Sequence, residues 1–299
     1  MKKLTLIIGI PAFNEEDNIR FLLNDLLKQK KDKFLLREIL VVSDGSTDST
    51  EKIVKEFKKG VNLRKNEKRC GLAFTQNLIL EHATSDVLIL INADVRILDK
   101  NFLFKMIQPI QKNSVDLVSP SVSEAEPSTF FEKVLFVSTK IKNVAYENYR
   151  DGDNVYTCRG VARAFSKRFY SSFRFSTSIG EDAFSYYNCK VNGFKYHFQK
   201  STSVIFRLPT NFMDHKKQSI RFYNSKELLK KEFGKHLVSE GYKLGKGVLI
   251  KSILKNLISD PISTIMYFSV LLIIKAQSFF VREKENWERV SSSKTIARI

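Results

Sequence analysis

Three times in the first third of the chain an unbroken apolar run gives way to carboxylates, amides and a turn. Residues 4–10 (LTLIIGI) lead into Pro11-Ala12-Phe13-Asn14-Glu15-Glu16, residues 38–43 (EILVVS) into Asp44-Gly45, and residues 86–91 (DVLILI) into Asn92-Ala93-Asp94. Segments apolar on both faces are what parallel strands covered by helices require. Parallel neighbours need crossover connections, and helical spacing over about residues 16–28, 49–58 and 72–82 supplies them. Asn14 with Asp17 predicts an N-cap for the first of these helices, and Asp48 with Glu51 a capping box for the second. The fold class is therefore α/β. Ligands of such sheets bind outside the carboxyl ends of the strands, so a cleft lined by Asp44, Asp94 and main-chain amides is expected there.

A further pair of carboxylates opens a later helix. Ser178-Ile179-Gly180-Glu181-Asp182 precedes an amphipathic stretch at 183–191, and Ser178 with Glu181 fits the spacing of a capping box. That arrangement occupies Glu181 and leaves Asp182 as the freer carboxylate. A helix N-terminus favours its ionised form, ready to accept a proton.

With these segments in view the sequence resembles the nucleotide-sugar-dependent GT-A glycosyltransferases of family 2. The resemblance rests on IPAFNEEDNI, VVSDGSTDST, KNEKRCGLAFTQN, LINADV, SIGEDAFSYY and QSIRFYN, in that order over about residues 1–235. It implies a GT-A, Rossmann-like, mostly parallel sheet with helices on both faces, and an inverting transfer. It also implies that Pro11, Ala12 and Asp44 hold the nucleobase, with Asn14 on the same binding segment and Glu15 close to the nucleoside. Arg69 and Gly71 would approach the base or phosphates, Asp94 would hold a divalent metal on the diphosphate, and Glu181-Asp182 would contain the catalytic base. A glycine-bearing strand at 158–165 would line the acceptor side through Gly160, with Arg159 and Arg163 available to an anionic acceptor. Gln218-Ser219-Ile220-Arg221-Phe222 resembles the Gln-x-x-Arg-Trp motif of membrane synthases. Arg221 would then contact the diphosphate, and Phe222 would stack under the acceptor.

The chemistry asks for such residues independently. A departing nucleoside diphosphate gathers negative charge, which a hard cation such as Mn²⁺ or Mg²⁺ neutralises while keeping several waters beside one or two carboxylates. The chain departs from the family at this motif, because Asn92 stands where an Asp is usual; it can accept a hydrogen bond from a ribose hydroxyl but brings no charge. Arg96, two residues beyond Asp94, cannot ligate a metal and is expected to face solvent. The histidine that often follows the Glu-Asp motif would fall near Phe206 and is missing, and His215 is expected to be structural.

Composition adds a partner. The 299 residues are 43% hydrophobic, enough for a full α/β core and an appendage, and the formal net charge is +18. No zinc-finger, RNA-recognition or basic-zipper pattern accompanies that charge, which argues against nucleic acid. An anionic membrane surface explains it better. Residues 249–258 alternate apolar pairs with lysine and polar pairs, the pattern of an interfacial helix, and 262–274 is uncharged but too short to span about 30 Å of hydrocarbon unless extended to 281. Peripheral or monotopic attachment is expected ahead of a single span or packing on the catalytic domain. Three widely spaced cysteines, Cys70, Cys158 and Cys189, and a first strand beginning a few residues from Met1 predict a reducing compartment and no signal peptide.

The expectation is a catalytic domain over 1–235, with a donor half at about 1–120 and an acceptor half at about 121–235. A membrane-associating helical segment and charged tail follow at 236–299. The protein would be an inverting, metal-dependent glycosyltransferase at the cytoplasmic membrane face, moving a sugar from a UDP- or GDP-sugar to a lipid-linked or glycan acceptor, with room for self-association. A nucleotidyltransferase lacks its glycine-rich phosphate loop here. A membrane-bound nucleotide-sugar-binding protein without turnover draws support only from Asn92 and the missing histidine.

Overall fold

The computed structural model describes residues 3–113, 115–176, 180–244 and 246–278. Strands β1 (Thr5–Ala12), β2 (Leu35–Ser43), β3 (Val61–Lys65) and β4 (Val87–Ile91) run parallel in the order β3-β2-β1-β4. Helices α1 (Ile19–Leu27), α2 (Thr50–Lys55) and α3 (Leu72–His82) make the crossovers. The apolar runs are buried on both faces. Leu6, Ile8, Ile10, Val41 and Ile89 pack with Leu22, Leu26 and Val54 on one side. On the other, Ile7, Leu40, Val42 and Leu88 pack with Ile79 and Leu80 of α3. That contact fixes Gly9, where a Cβ would stand 2.2 Å from Ile79 Cγ2.

The chain continues through β5 (Val95–Arg96), α4 (Phe102–Asn113), β6 (Leu117–Glu124), α5 (Phe130–Asn148), β7 (Ala162–Ser166), α6 (Lys167–Tyr170), α7 (Glu181–Val191) and β8 (Tyr196–Phe206). The sheet extends as β4-β7-β6-β8-β5, with β7 antiparallel to both β4 and β6 and β8 parallel to β6. Reversal at β7 matters for the site. Ile91 pairs with Ala162, so the start of β7 lies at the same sheet edge as the carboxyl end of β4.

Two expected caps form differently. α1 begins at Ile19, because Asn14 adopts a left-handed φ of 53° and its Oδ1 accepts from Thr47 N at 2.8 Å instead of capping a helix. At α2, Asp48 Oδ1 accepts from Thr50 N at 2.9 Å, but Glu51 turns to Ser43 Oγ and Lys65 and closes no capping box. Ser178 lies outside the described residues, and Gly180 is the residue that precedes α7.

Arg96 does not face solvent. Its Nε donates to Asp25 Oδ2 at 2.7 Å while the guanidinium lies 5.3 Å from the Phe21 ring, because β5 returns the chain across the end of α1. Arg96 thus ties β5 to α1.

After β8 come α8 (Phe212–Phe233), α9 (Lys235–Gly241), α10 (Lys246–Ser259) and α11 (Pro261–Ser278). Gly234, at φ 92°, separates α8 from α9. α10 and α11 pack on α5: Ser252 Oγ donates to Ile141 O at 3.2 Å, and Tyr267 joins Val134, Leu135 and Leu208. Their polarity is inverted relative to an ordinary surface helix. Ser252, Asn256, Ser263 and Thr264 are buried, whereas Ile258 is 84% exposed, Leu272 69% and Ile262 68%. Among the described residues no helix is long and apolar enough to cross a membrane. Residues 279–281 of the expected apolar extension, and the charged tail after them, lie outside the described residues.

Candidate active site

Asp44 follows the last residue of β2 and is 3% exposed. Its main-chain N–H donates to Ala12 O at 2.8 Å, which joins the ends of β1 and β2. The carboxylate accepts three bonds from the loop between β3 and α3. Oδ1 accepts from Asn66 Nδ2 at 2.9 Å and Cys70 N at 2.8 Å, and Oδ2 accepts from Gly71 N at 2.8 Å. Gly45 is required beside it, because at φ 70° a Cβ would come within 2.8 Å of Arg69 N. Arg69 itself lies over the Phe13 ring, 4.4 Å from the centroid. Pro11, Ala12, Asp44, Arg69 and Gly71 therefore meet at the carboxyl ends of β1 and β2.

Asn14 braces these strand ends through Thr47, and Glu15 is 5% exposed, accepting from Asn18 Nδ2 at 2.9 Å. At the neighbouring strand end, Asn92 donates its main-chain N–H to Val161 O at 3.0 Å. Asn92 and Asp94 are both partly exposed at the rim. No group of three or more His, Cys, Asp or Glu side chains fit to hold a metal ion occurs among the described residues. A metal here would take Asp94 as its protein carboxylate and its other oxygens from phosphate and water.

The start of α7 stands across this edge. A Cβ on Gly160 would lie 3.6 Å from Asp182 Cβ and 3.9 Å from Oδ2. Since Gly160 precedes Val161, the bond from Asn92 brings the Asp94 turn and Asp182 to facing sides of one edge. Gly160 itself is in the turn before β7, not within the strand. Asp182 Oδ1 accepts from Ala183 N at 2.7 Å. Glu181 is 9% exposed, and burial, followed by the charge of Asp182, pushes its pKa above the ordinary carboxylate value against the pull of Arg163 and Arg221. Of the pair, Asp182 is thus the more accessible member.

Arg163 is placed beneath this turn, not on an open acceptor surface. It is 0% exposed and its Nη1 donates to Glu181 O at 2.7 Å and Ser185 Oγ at 2.9 Å. The plane lies over the Phe165 and Phe175 rings, at 5.7 and 5.3 Å. Arg159, by contrast, donates to Asn143 Oδ1 at 2.6 Å on the α5 side.

Several residues here carried no mark in the sequence. Tyr242, after α9, stands between Gly241 and Gly245, yet burial and then the charge of Asp182 raise its pKa. Its ring meets Tyr156 at 5.3 Å and Phe222 at 5.9 Å, and Lys226 Nζ sits 4.8 Å from its centroid. Phe222 and Lys226, four residues apart on α8, thus border an aromatic and cationic patch beside Asp182. Arg221 and Ser225 form the adjoining face, with Ser225 Oγ 3.3 Å from where a Gly180 Cβ would be. A lone Tyr between glycines was the one signal that could have found this patch. His215, expected to be structural, is held in α8 against Phe131 at 6.2 Å.

A mixed sheet with its reversal at β7, carboxylates at the parallel strand ends and a further pair opening α7 define a GT-A-type α/β fold. The likeness to a solved mannosyltransferase from Pyrobaculum calidifontis, in complex with GDP-Man and Mn²⁺, bears this out. Its TM-score is 0.61 at 16% identity, covering 92% of this chain and 76% of that one. Residues 7–172 match the family described as Glycosyl transferase family 2, and the chain belongs to that family. Among curated relatives, the glycosyltransferase SunS of Bacillus subtilis is 31% identical over 123 residues, covering 40% of this chain and 28% of SunS. A dolichyl-phosphate beta-glucosyltransferase of Dictyostelium discoideum is 26% identical over 144 residues, 44% of each. The chain spans less than half the length of these curated relatives.

Proposed function

We propose that the protein transfers a sugar from a nucleoside diphosphate donor, a UDP- or GDP-sugar, to a lipid-linked or glycan acceptor at the cytoplasmic face of a membrane, with inversion at the anomeric carbon. The observation that carries this reading is the convergence of Asp44, the Asp94 rim and Asp182 along one sheet edge through the Asn92–Val161 bond.

In this mechanism the base lies against Pro11, Ala12 and Asp44, and the ribose reaches Asn92. Arg69 and Arg221 face the phosphates, where guanidinium forks match the oxygens. Asp94 would hold Mn²⁺ or Mg²⁺, which would neutralise charge on the departing diphosphate. Asp182 accepts the proton of the acceptor hydroxyl as that oxygen bonds to the anomeric carbon. The bond from that carbon to the diphosphate oxygen breaks on the opposite face, and the nucleoside diphosphate leaves with the electron pair. Gly160 lets the acceptor come close to Asp182, and Phe222 offers a ring for it to stack on.

The outward apolar faces of α10 and α11, edged by exposed Lys255 and Lys275, support docking on an anionic bilayer. Cys70, Cys158 and Cys189 are all free, in keeping with a reducing compartment. Incubating purified protein with UDP- and GDP-sugars, with and without Mn²⁺, tests the reading. Release of nucleoside diphosphate with an acceptor-dependent product of inverted anomeric configuration is expected; a panel left intact under every condition would refute it.

A further inference from the structure

The packing of α5, α8 and α11 leaves polar atoms short of acceptors. Tyr267 on α11 is 3% exposed, and its buried hydroxyl has only the Lys142 ammonium beside it, a donor that leaves the hydroxyl's own proton without an acceptor. Both ring nitrogens of His215 on α8 are buried and unpartnered. Between these helices Lys142 of α5 brings its ammonium to 5.4 Å from the Tyr267 ring centroid. No carboxylate stands within ion-pair distance of Lys142 among the described residues. The Lys142 charge reaches His215 as well, helping burial, the larger cause, to push the imidazole down to about 4.

Such a group is costly unless something completes it. A buried hydroxyl or imidazole without an acceptor for its proton is destabilising, and a charge with no counter-ion more so. Water could bond the hydroxyl and the imidazole, but it brings no charge to the ammonium. The three donors have in common a need for an acceptor-rich anion. Arg159 also lies within electrostatic reach of Lys142 and reinforces the positive sign.

We propose that Lys142 and Tyr267, flanked by His215, form a phosphate-binding site at the junction of α5, α8 and α11, distinct from the donor diphosphate site. A phosphate group offers one oxygen to the ammonium, one to the Tyr267 hydroxyl and a third toward His215, which donates from its neutral tautomer. The site lies at the inward side of α11, whose other side is the exposed apolar face. It is joined to Asp182 through Tyr146, Tyr156 and Tyr242, the first two rings stacked 4.3 Å apart and the last two meeting edge-on at 5.3 Å. A phosphate held at Lys142 therefore stands apart from the reacting atoms. It belongs to the shaft of an acceptor or to a bilayer headgroup, or is free in solution, and is not itself the nucleophile.

The test needs no donor, so its outcome is independent of the transferase reading. Full-length protein is titrated with inorganic phosphate against chloride at matched ionic strength, by calorimetry and thermal shift. It is then offered phosphatidylcholine vesicles carrying either phosphatidic acid or an equal charge of oleate. Lys142→Met should weaken phosphate binding at least tenfold and Tyr267→Phe several-fold, while Lys142→Arg retains it and shows that the junction still folds. Binding of free phosphate in this pattern supports the site. So does a preference for phosphatidic acid over oleate vesicles that Lys142→Met abolishes, which identifies the lipid as the source. If neither phosphate form is preferred over its control, or if Lys142→Met leaves the preference unchanged, the proposal is overturned.

Discussion

Gly160 and Asp182 stand so close that a Cβ on the glycine would lie 3.6 Å from the aspartate's Cβ. The carboxylate thereby faces the strand turn that also anchors Asn92, and its reach is toward the cleft. Asp182→Asn keeps the shape but cannot take a proton. Turnover should fall by about two to four orders of magnitude with donor affinity nearly unchanged, as read from kcat and from donor titration. Equal loss in both would move the residue from chemistry to binding.

Glu181 gives a pH signature. Its folded-state pKa is raised, so its contribution is most favourable below the ordinary carboxylate value of 4.5 and is lost as pH rises through the raised value. Glu181→Gln should therefore raise thermal stability relative to the parent more at pH 8 than at pH 5. Melting curves at the two pH values check this, and the opposite ordering would show that Arg163 and Arg221 outweigh burial.

Asp44 holds three donors from one loop, and Asp44→Ala would leave Asn66, Cys70 N and Gly71 N without it. The expected cost is about 1–3 kcal/mol in unfolding free energy, with a larger loss in nucleotide affinity. Denaturant titration and calorimetry separate the two, and unchanged nucleotide binding would free Asp44 of any role in holding the nucleotide.

Asp94→Ala should remove the metal-dependent part of nucleoside diphosphate binding while the fold persists, because Asp94 is on the partly exposed rim. Titration with and without Mn²⁺ reads this directly. An identical metal response in parent and variant would exclude Asp94 as the ligand.

Ile258→Glu with Ile262→Glu places charges at positions 84% and 68% exposed. Melting temperature should change little, whereas flotation with anionic vesicles should be largely lost. High salt should strip the parent only partly, since screening weakens lysine attraction and leaves apolar insertion intact. A parent that stays in the soluble fraction at low salt would end the membrane reading.

The strand ends were legible because each apolar run stops at a polar triplet, and strand carboxyl ends are where an open sheet binds its ligand. What could not be read is what lies across long sequence separations. Asn66 satisfies Asp44 from 22 residues away, and Arg163 meets Ser185 across 22 residues. An arginine in a strand pattern reads as surface, and only the aromatic bed of Phe165 and Phe175 makes its burial intelligible. Arg96 was misjudged for the same reason, since Asp25 is 71 residues earlier. Local motifs reported the groups at the cleft edge, and tertiary contacts decided which of them are structural.

The inverted helices α10 and α11 have a consequence for how this protein can be handled. Their inward faces carry Ser252, Asn256, Ser263 and Thr264 beside Tyr267 and Ile274, so turning the helices to bury their outward isoleucines and leucines would strand those polar groups outside their present contacts. Among the described residues the outward side of these two helices therefore stays apolar. In dilute aqueous buffer that side finds either a detergent, a bilayer or another copy, and the apparent size of the protein should follow whichever of these is supplied.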